Sequence, residues 1–266
     1  MTIGQSLLFF LVSFAASVAG AICGIGGGFI IKPVLDLFGW ASVSTISFLS
    51  GCTVLSMSCY SVGKSMLSGE KSVALRTGTP LAVGAAVGGI AGKELFGIVK
   101  ALFENQNSVG AVQAVCLMLI TIGTLVYTVF KSRIKTLRIE NPAICIVIGF
   151  LLGVLSSFLG IGGGPINLVV LYFFFSMDTK TAAANSLYII LFSQITSLLS
   201  TIFTGSVPPF DIKTIVFMVC GGIAGGIMGR LYNKRLNNAA VDKLFMGLMF
   251  IIILICAYNT IKYSVV

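Results

Sequence analysis

The chain has 266 residues, 57% hydrophobic and only 9% charged, with mean hydropathy +1.06 and net charge +9. Soluble domains carry about 25% charged residues, so the composition excludes one and describes a polytopic membrane protein whose basic excess is a topology signal rather than a nucleic-acid footprint. With no histidine and seven cysteines in apolar runs without metal-ligand spacing, the chain lacks Ser-His or Cys-His catalytic pairs and histidine metal sites, and neither a cofactor nor a metal is expected.

In chain order, apolar segments cover about 4–22, 28–38, 41–63, 73–92 and 109–130, then 143–159, 164–176, 181–204, 210–229 and 243–262. Leu7 to Ala19 has the look of a signal-peptide core. It lacks a basic region before it and matches an internal segment of the second half, so it reads as a retained first span. The two sets of five define a first transmembrane repeat (1–130), a basic cytoplasmic linker (131–142) and a second repeat (143–266), within one integrated domain.

The repeat is anchored by Gly24-Ile-Gly-Gly-Gly28, which returns as Gly160-Ile-Gly-Gly-Gly164. At that offset Ser50 falls on Ser186, and the Ser68-Gly69 turn on Thr204-Gly205. One residue more aligns Gly84, Gly88, Gly89, Gly92 and Lys93 with Gly221, Gly225, Gly226, Gly229 and Arg230. That second pattern reads as a closely packed helix ending at the membrane interface. Each glycine costs a helix about 1 kcal/mol relative to alanine, so the GIGGG stretches break their segments. In a bilayer an irregular backbone survives only where protein covers it or where it lines a polar cavity, and paired interruptions point to a transport site.

Ser6 to Phe38 would span about 50 Å as one straight helix, against a hydrocarbon core of about 30 Å, so the chain breaks and tilts or turns back at the glycines. With parallel repeats the basic residues outside Lys32 divide nine against seven between the two sides; with reversal at each glycine motif they divide twelve against four. The positive-inside rule favours the second division. The expected fold is therefore an all-α polytopic membrane protein of two inverted repeats. Each repeat is a glycine-broken helical hairpin plus three transmembrane helices, giving about eight full spans and two short segments, with both termini outside the cytoplasm.

A short helix starting at Gly28 or Gly164 directs unpaired N–H groups and its positive dipole end at the glycine turn, which suits a small anion. The substrate-binding candidates are Gly26, Gly27, Gly28, Lys32 and Ser50 in the first half, and Gly162, Gly163, Gly164, Asn167, Asn185, Ser186 and Gln194 in the second. Ser156 and Ser157 lie just before the second motif. Lys32 and Asp36 are charges inside a membrane segment, each costing roughly 2.5–3.5 kcal/mol near the bilayer centre. They read either as functional or as a mutually neutralising i, i+4 pair with Lys32 snorkelling outward. Their second-half counterparts are Leu168 and Tyr172. Pro33 is expected in the first turn of its short helix, where no N–H is needed. Asp178 is expected at the surface, and Cys23, Cys52 and Cys59 read as packing residues, with a thiol relay as the rival.

The GxGGG motif in both halves, Pro33 after the first, Ser50, Asn185-Ser186 and the GxxxGGxxG helices resemble the TauE/SafE family over about residues 4–262. The family comprises membrane permeases associated with export of sulfite, sulfoacetate and related small organosulfur or sulfur oxyanions. The resemblance implies a secondary transporter, a probable exporter in the family's sense, with the glycine turns as its site. Pro165 directly after the second motif and Lys32 in the first short helix depart from the pattern. The expected partners are a small anionic substrate and the lipid bilayer of a bacterial-type inner membrane, without nucleic acid. A coupling ion (H+ or Na+) and a homodimer stay open. A channel-like facilitator, an intramembrane enzyme and a structural membrane subunit are the rival readings.

Overall fold

A computed structural model describes residues 3–69, 73–103 and 106–265; Lys71, counted above among the basic residues, lies outside them. The described residues form ten α-helices: α1 (Ile3–Cys23), α2 (Gly28–Phe38), α3 (Val43–Leu67), α4 (Leu75–Leu102), α5 (Gln106–Phe130), α6 (Pro142–Leu159), α7 (Pro165–Phe175), α8 (Thr179–Phe203), α9 (Ile212–Arg235) and α10 (Asn238–Val265). Eight are long and apolar enough to cross a membrane. The other two, α2 and α7, have 11 residues each, about 16 Å and half the hydrocarbon thickness.

Local chemistry sets the helix ends. Ser42 and Asp178, equivalent in the repeat, cap α3 and α8 by accepting from backbone N–H groups in the first turn. Gly39, Gly160 and Ser176 close α2, α6 and α7 in the left-handed conformation. Two expectations need correction. The GxxxGGxxG helices do not end at Lys93 and Arg230 but run on to Leu102 and Arg235. Lys93 stays within α4 by laying its ammonium 5.4 Å from the Phe96 ring, a cation–π contact that eases its placement. Pro33 is the sixth residue of α2, beyond the first turn, so the Phe29 carbonyl lacks its usual i+4 donor.

The glycine faces decide which helices touch. A β-carbon on Gly88 of α4 would lie 2.1 Å from the Phe150 carbonyl of α6, and one on Gly225 of α9 would lie 2.4 Å from the Phe14 carbonyl of α1. Each half thus packs its glycine helix on the first helix of the other half. Both pairs are parallel: Gly84 meets Ile146 and Gly92 meets Val154, while Gly221 meets Phe10 and Gly229 meets Val18. The chain reverses between α1 and α2, because Gly27 lies against Ser17 and Trp40, just past α2, stacks on Phe9. The α5 and α10 helices run antiparallel, with Gly110 at Tyr263 and Lys131 bonded to Asp242 at 2.6 Å.

The ends of the half-helices are held from outside. Lys262 donates to the carbonyls of Asp36 and Leu37 at 3.2 and 2.9 Å. The N–H groups of Leu137 and Ile139, in the basic linker, donate to Phe173 and Phe174 at 2.7 and 3.0 Å. These donors satisfy terminal carbonyls that a helix cannot pair by itself.

Candidate functional site

The two glycine turns meet. A β-carbon on Gly28 would lie 2.0 Å from the Ile161 carbonyl, and one on Gly163, whose φ is +140°, would lie 3.2 Å from the Ile25 carbonyl. Only residues without side chains let the turns interlock this closely, and the N-termini of α2 and α7 converge on the contact.

Several predicted site residues gather here. Ser50, fully buried, places its Oγ against Gly28 and has no hydrogen-bond partner. Its repeat equivalent Ser186 accepts from Asn167 Nδ2 at 3.3 Å, and Asn167 Oδ1 is buried without a partner. Gln194 packs against Gly51 and Gly162. The Oγ atoms of Ser156 and Ser157 are also buried and unpartnered. Groups of this kind cost free energy unless something bonds to them.

Two predicted residues face elsewhere. Asn185 accepts from the N–H of Ala74 at 3.1 Å and donates to the Thr181 carbonyl at 2.8 Å. It thereby ties down the start of α4 from a neighbouring helix, pairing the N–H of the residue just before it. At the equivalent position of the second half, Asp211 caps α9 itself. Lys32 neither snorkels nor pairs with Asp36: it is 2% exposed and donates to Gln113 Oε1 at 2.5 Å. Gln113 Nε2 in turn donates to the Phe158 carbonyl at 2.5 Å.

A vestibule of about 470 Å³ opens between the ends of α1, α3 and α9 and the start of α8. It is lined by Ser61, Ser65, Thr181 and Asn233 with the basic Lys180, Arg230 and Lys234, and reaches Ala21 and Ala183. There Gly24 closes on Ala183, leaving only 2.2 Å from a β-carbon position to the Ala183 Cα. The repeat carries Ala21, Ser61, Ser65 and Ala183 onto Ser157, Ser197, Thr201 and Ser47, and Arg230 onto Lys93. Those residues line a second cavity of about 20 Å³, which ends, as the first does, at a glycine contact, here Gly160 on Ser47. The two vestibules are repeat-related, one open and one collapsed. The vestibule bases were missed as site residues because sequence spacing cannot tell a solvated helix end from a cavity wall.

Asp178 lies beside the open vestibule as the cap of α8. Partial burial pushes its carboxyl up, but the Thr181 hydroxyl and the N–H groups of Thr181 and Lys180 together hold it below the usual carboxylate range. None of the seven cysteines is disulfide-bonded, and none lines the vestibule.

The family profile described as "Sulfite exporter TauE/SafE" matches residues 9–255. The chain is also 24% identical over 263 residues to the "Probable membrane transporter protein YunE" of Bacillus subtilis (strain 168), covering 87% of this chain and 89% of that protein. No solved structure matches. With eight candidate spans and a profile that covers nearly the whole chain, the protein belongs to the TauE/SafE family of membrane transporters and is a multi-pass transporter, not an enzyme.

Proposed function

We propose that this protein exports a small sulfur-containing or organic anion, such as sulfite or a sulfonate, by alternating access at the paired glycine turns. The observation that carries the reading is the pair of repeat-related vestibules, about 470 Å³ and about 20 Å³ in volume. A transporter built from two equivalent halves needs one such route to each side and only one open at a time.

The anion is read as sitting where the N-termini of α2 and α7 converge, among the glycine turns, Ser50, Asn167, Ser186 and Gln194. The unpartnered Ser50 Oγ and Asn167 Oδ1 support this placement, as does the suitability of helix N-termini for anions. Lys32 acts from behind, through Gln113. The helix directions support an inverted relation between repeats 1–130 and 143–266, since the equivalent helices α5 and α10 run antiparallel. By the positive-inside rule the open, basic vestibule then faces the cytoplasm and both termini face outward. The inside-negative potential favours anion exit.

Counterflow of labelled sulfite in proteoliposomes tests this, with thiosulfate, sulfate, taurine, sulfoacetate, acetate and chloride as competitors. The expected result is saturable uptake accelerated by unlabelled substrate inside the vesicle. Flux that rises linearly without acceleration would favour a channel-like facilitator, and no flux of any of these anions would overturn the proposal.

A further inference from the structure

Lys32 and Asp36, 2% and 7% exposed, are the only charged side chains buried among the described residues. A buried ion is costly unless it is compensated, yet these two form no ion pair with each other among the described residues. Asp36 is met by the Tyr263 hydroxyl, while its Oδ1 has no hydrogen-bond partner. Lys262 donates to the main-chain carbonyls of Asp36 and Leu37. Asn259 donates to the Pro33 carbonyl at 2.9 Å, and its own Oδ1 is unpartnered. Lys32, Asp36, Gln113, Cys256 and Asn259 surround a void of about 10 Å³, near the smallest space that holds one water.

Gln113 joins this compartment to the transport route. It lines both the void and the collapsed vestibule, and it bonds to the Phe158 carbonyl, two residues before the Gly160–Ser47 contact. The Gln113 side chain thus stands between the void at Asp36 and the collapsed vestibule.

We propose that Asp36, with Lys32 beside it, is a proton-exchange site that couples anion movement to proton movement through Gln113. Once the collapsed vestibule opens, the Asp36 O–H bond breaks. Its electron pair stays on the carboxylate, opposite the Lys32 ammonium, and the proton passes to water on that side; reloading is the reverse. The groups facing Asp36 are Lys32 on its own helix, Cys256, Lys262 and Tyr263 on α10, and the neutral Gln113 on α5. The α1 helix carries no charge, and the one charge of α3, Lys64, is exposed at its far end. Lys93 faces the site across the collapsed vestibule. Because Leu168 and Tyr172 replace the pair in the second half, the protein has one such site, serving one side.

The inference rests on the transport reading, and the experiment separates the two. Sulfite accumulation in proteoliposomes is measured with and without a pH gradient for the wild type, Asp36→Asn and Asp36→Glu. In parallel, infrared difference spectra of the three proteins in nanodiscs follow the carboxylic-acid carbonyl band through a pH titration without substrate. One coupled proton gives about tenfold accumulation per pH unit in the wild type. The ratio should fall to one in Asp36→Asn and recover in Asp36→Glu. A wild-type ratio of one, or an undiminished ratio in Asp36→Asn, overturns the coupling while transport stands. If sulfite is not carried at all, or Asp36→Asn does not fold, the spectra decide. A pH-responsive acid band that shifts in Asp36→Glu supports the site, and its absence from the wild type overturns it.

Discussion

The carbonyl oxygen of Ile161, in the second glycine turn, stands 2.0 Å from the point where a β-carbon on Gly28, in the first, would lie. Both atoms are backbone-defined, so no rotamer change relieves the clash. Gly28→Ala must push the turns apart. Overpacking of this kind costs about 1–3 kcal/mol, and here it also displaces the N-terminus of α2. A lower melting temperature and loss of sulfite counterflow are expected. Gly97→Ala, which meets nothing within 4 Å, should change neither and serves as the control.

The open and collapsed vestibules differ in access. In a cysteine-free background, Ser65→Cys and Ala184→Cys should react quickly with a membrane-impermeant maleimide. Their repeat equivalents, Thr201→Cys and Phe48→Cys, should react at least about tenfold more slowly, a difference of about 1.4 kcal/mol or more in barrier. Equal rates at all four positions would describe a continuous pore.

Lys180 and Lys234 line the open vestibule and should draw anions in without touching the closed site. Lys180→Gln with Lys234→Gln should raise KM several-fold at low salt and leave kcat unchanged. The effect should fade as ionic strength rises and the Debye length falls to about 10 Å at 0.1 M.

Asn185 and Ser186 are neighbours in sequence with different tasks. Asn185→Ala removes the acceptor of the Ala74 N–H and should cost about 1 kcal/mol of stability, seen as a lower melting temperature with unchanged substrate affinity. Ser186→Ala and Asn167→Ala should instead weaken sulfite affinity, measured by ligand-dependent thermal shift.

The Asp178 cap should show in the pH dependence of stability. Its folded-state carboxyl titrates below the ordinary 3.8, so its contribution is present above that value and lost as the pH falls through the lower, folded one. The difference in melting temperature between wild type and Asp178→Ala should be constant near neutrality and shrink below about pH 4.

The repeat was legible before any coordinates, because the bilayer leaves a sequence few choices. Twenty or so apolar residues make a span, and four glycines in five residues break one. The number of elements and the half-length of 28–38 and 164–176 follow from that. The helix continuing past Lys93 and Pro33 deep in α2 escaped the reading, since a proline and a lysine both read as breaks, and the Lys93–Phe96 contact one turn on shows only once the helix is built.

What the sequence by itself determined is the class of protein, the duplicated pattern and the two breaks, since these rest on hydrophobicity and backbone freedom, which are local. The tertiary structure alone decided which side chains share a space. It sent Asn185 to the start of α4 and Lys32 to Gln113, made Lys180, Arg230 and Lys234 the walls of one vestibule, and left its twin closed. Those outcomes depend on which glycine face meets which helix in the other half, a relation between residues more than sixty positions apart that no local pattern encodes.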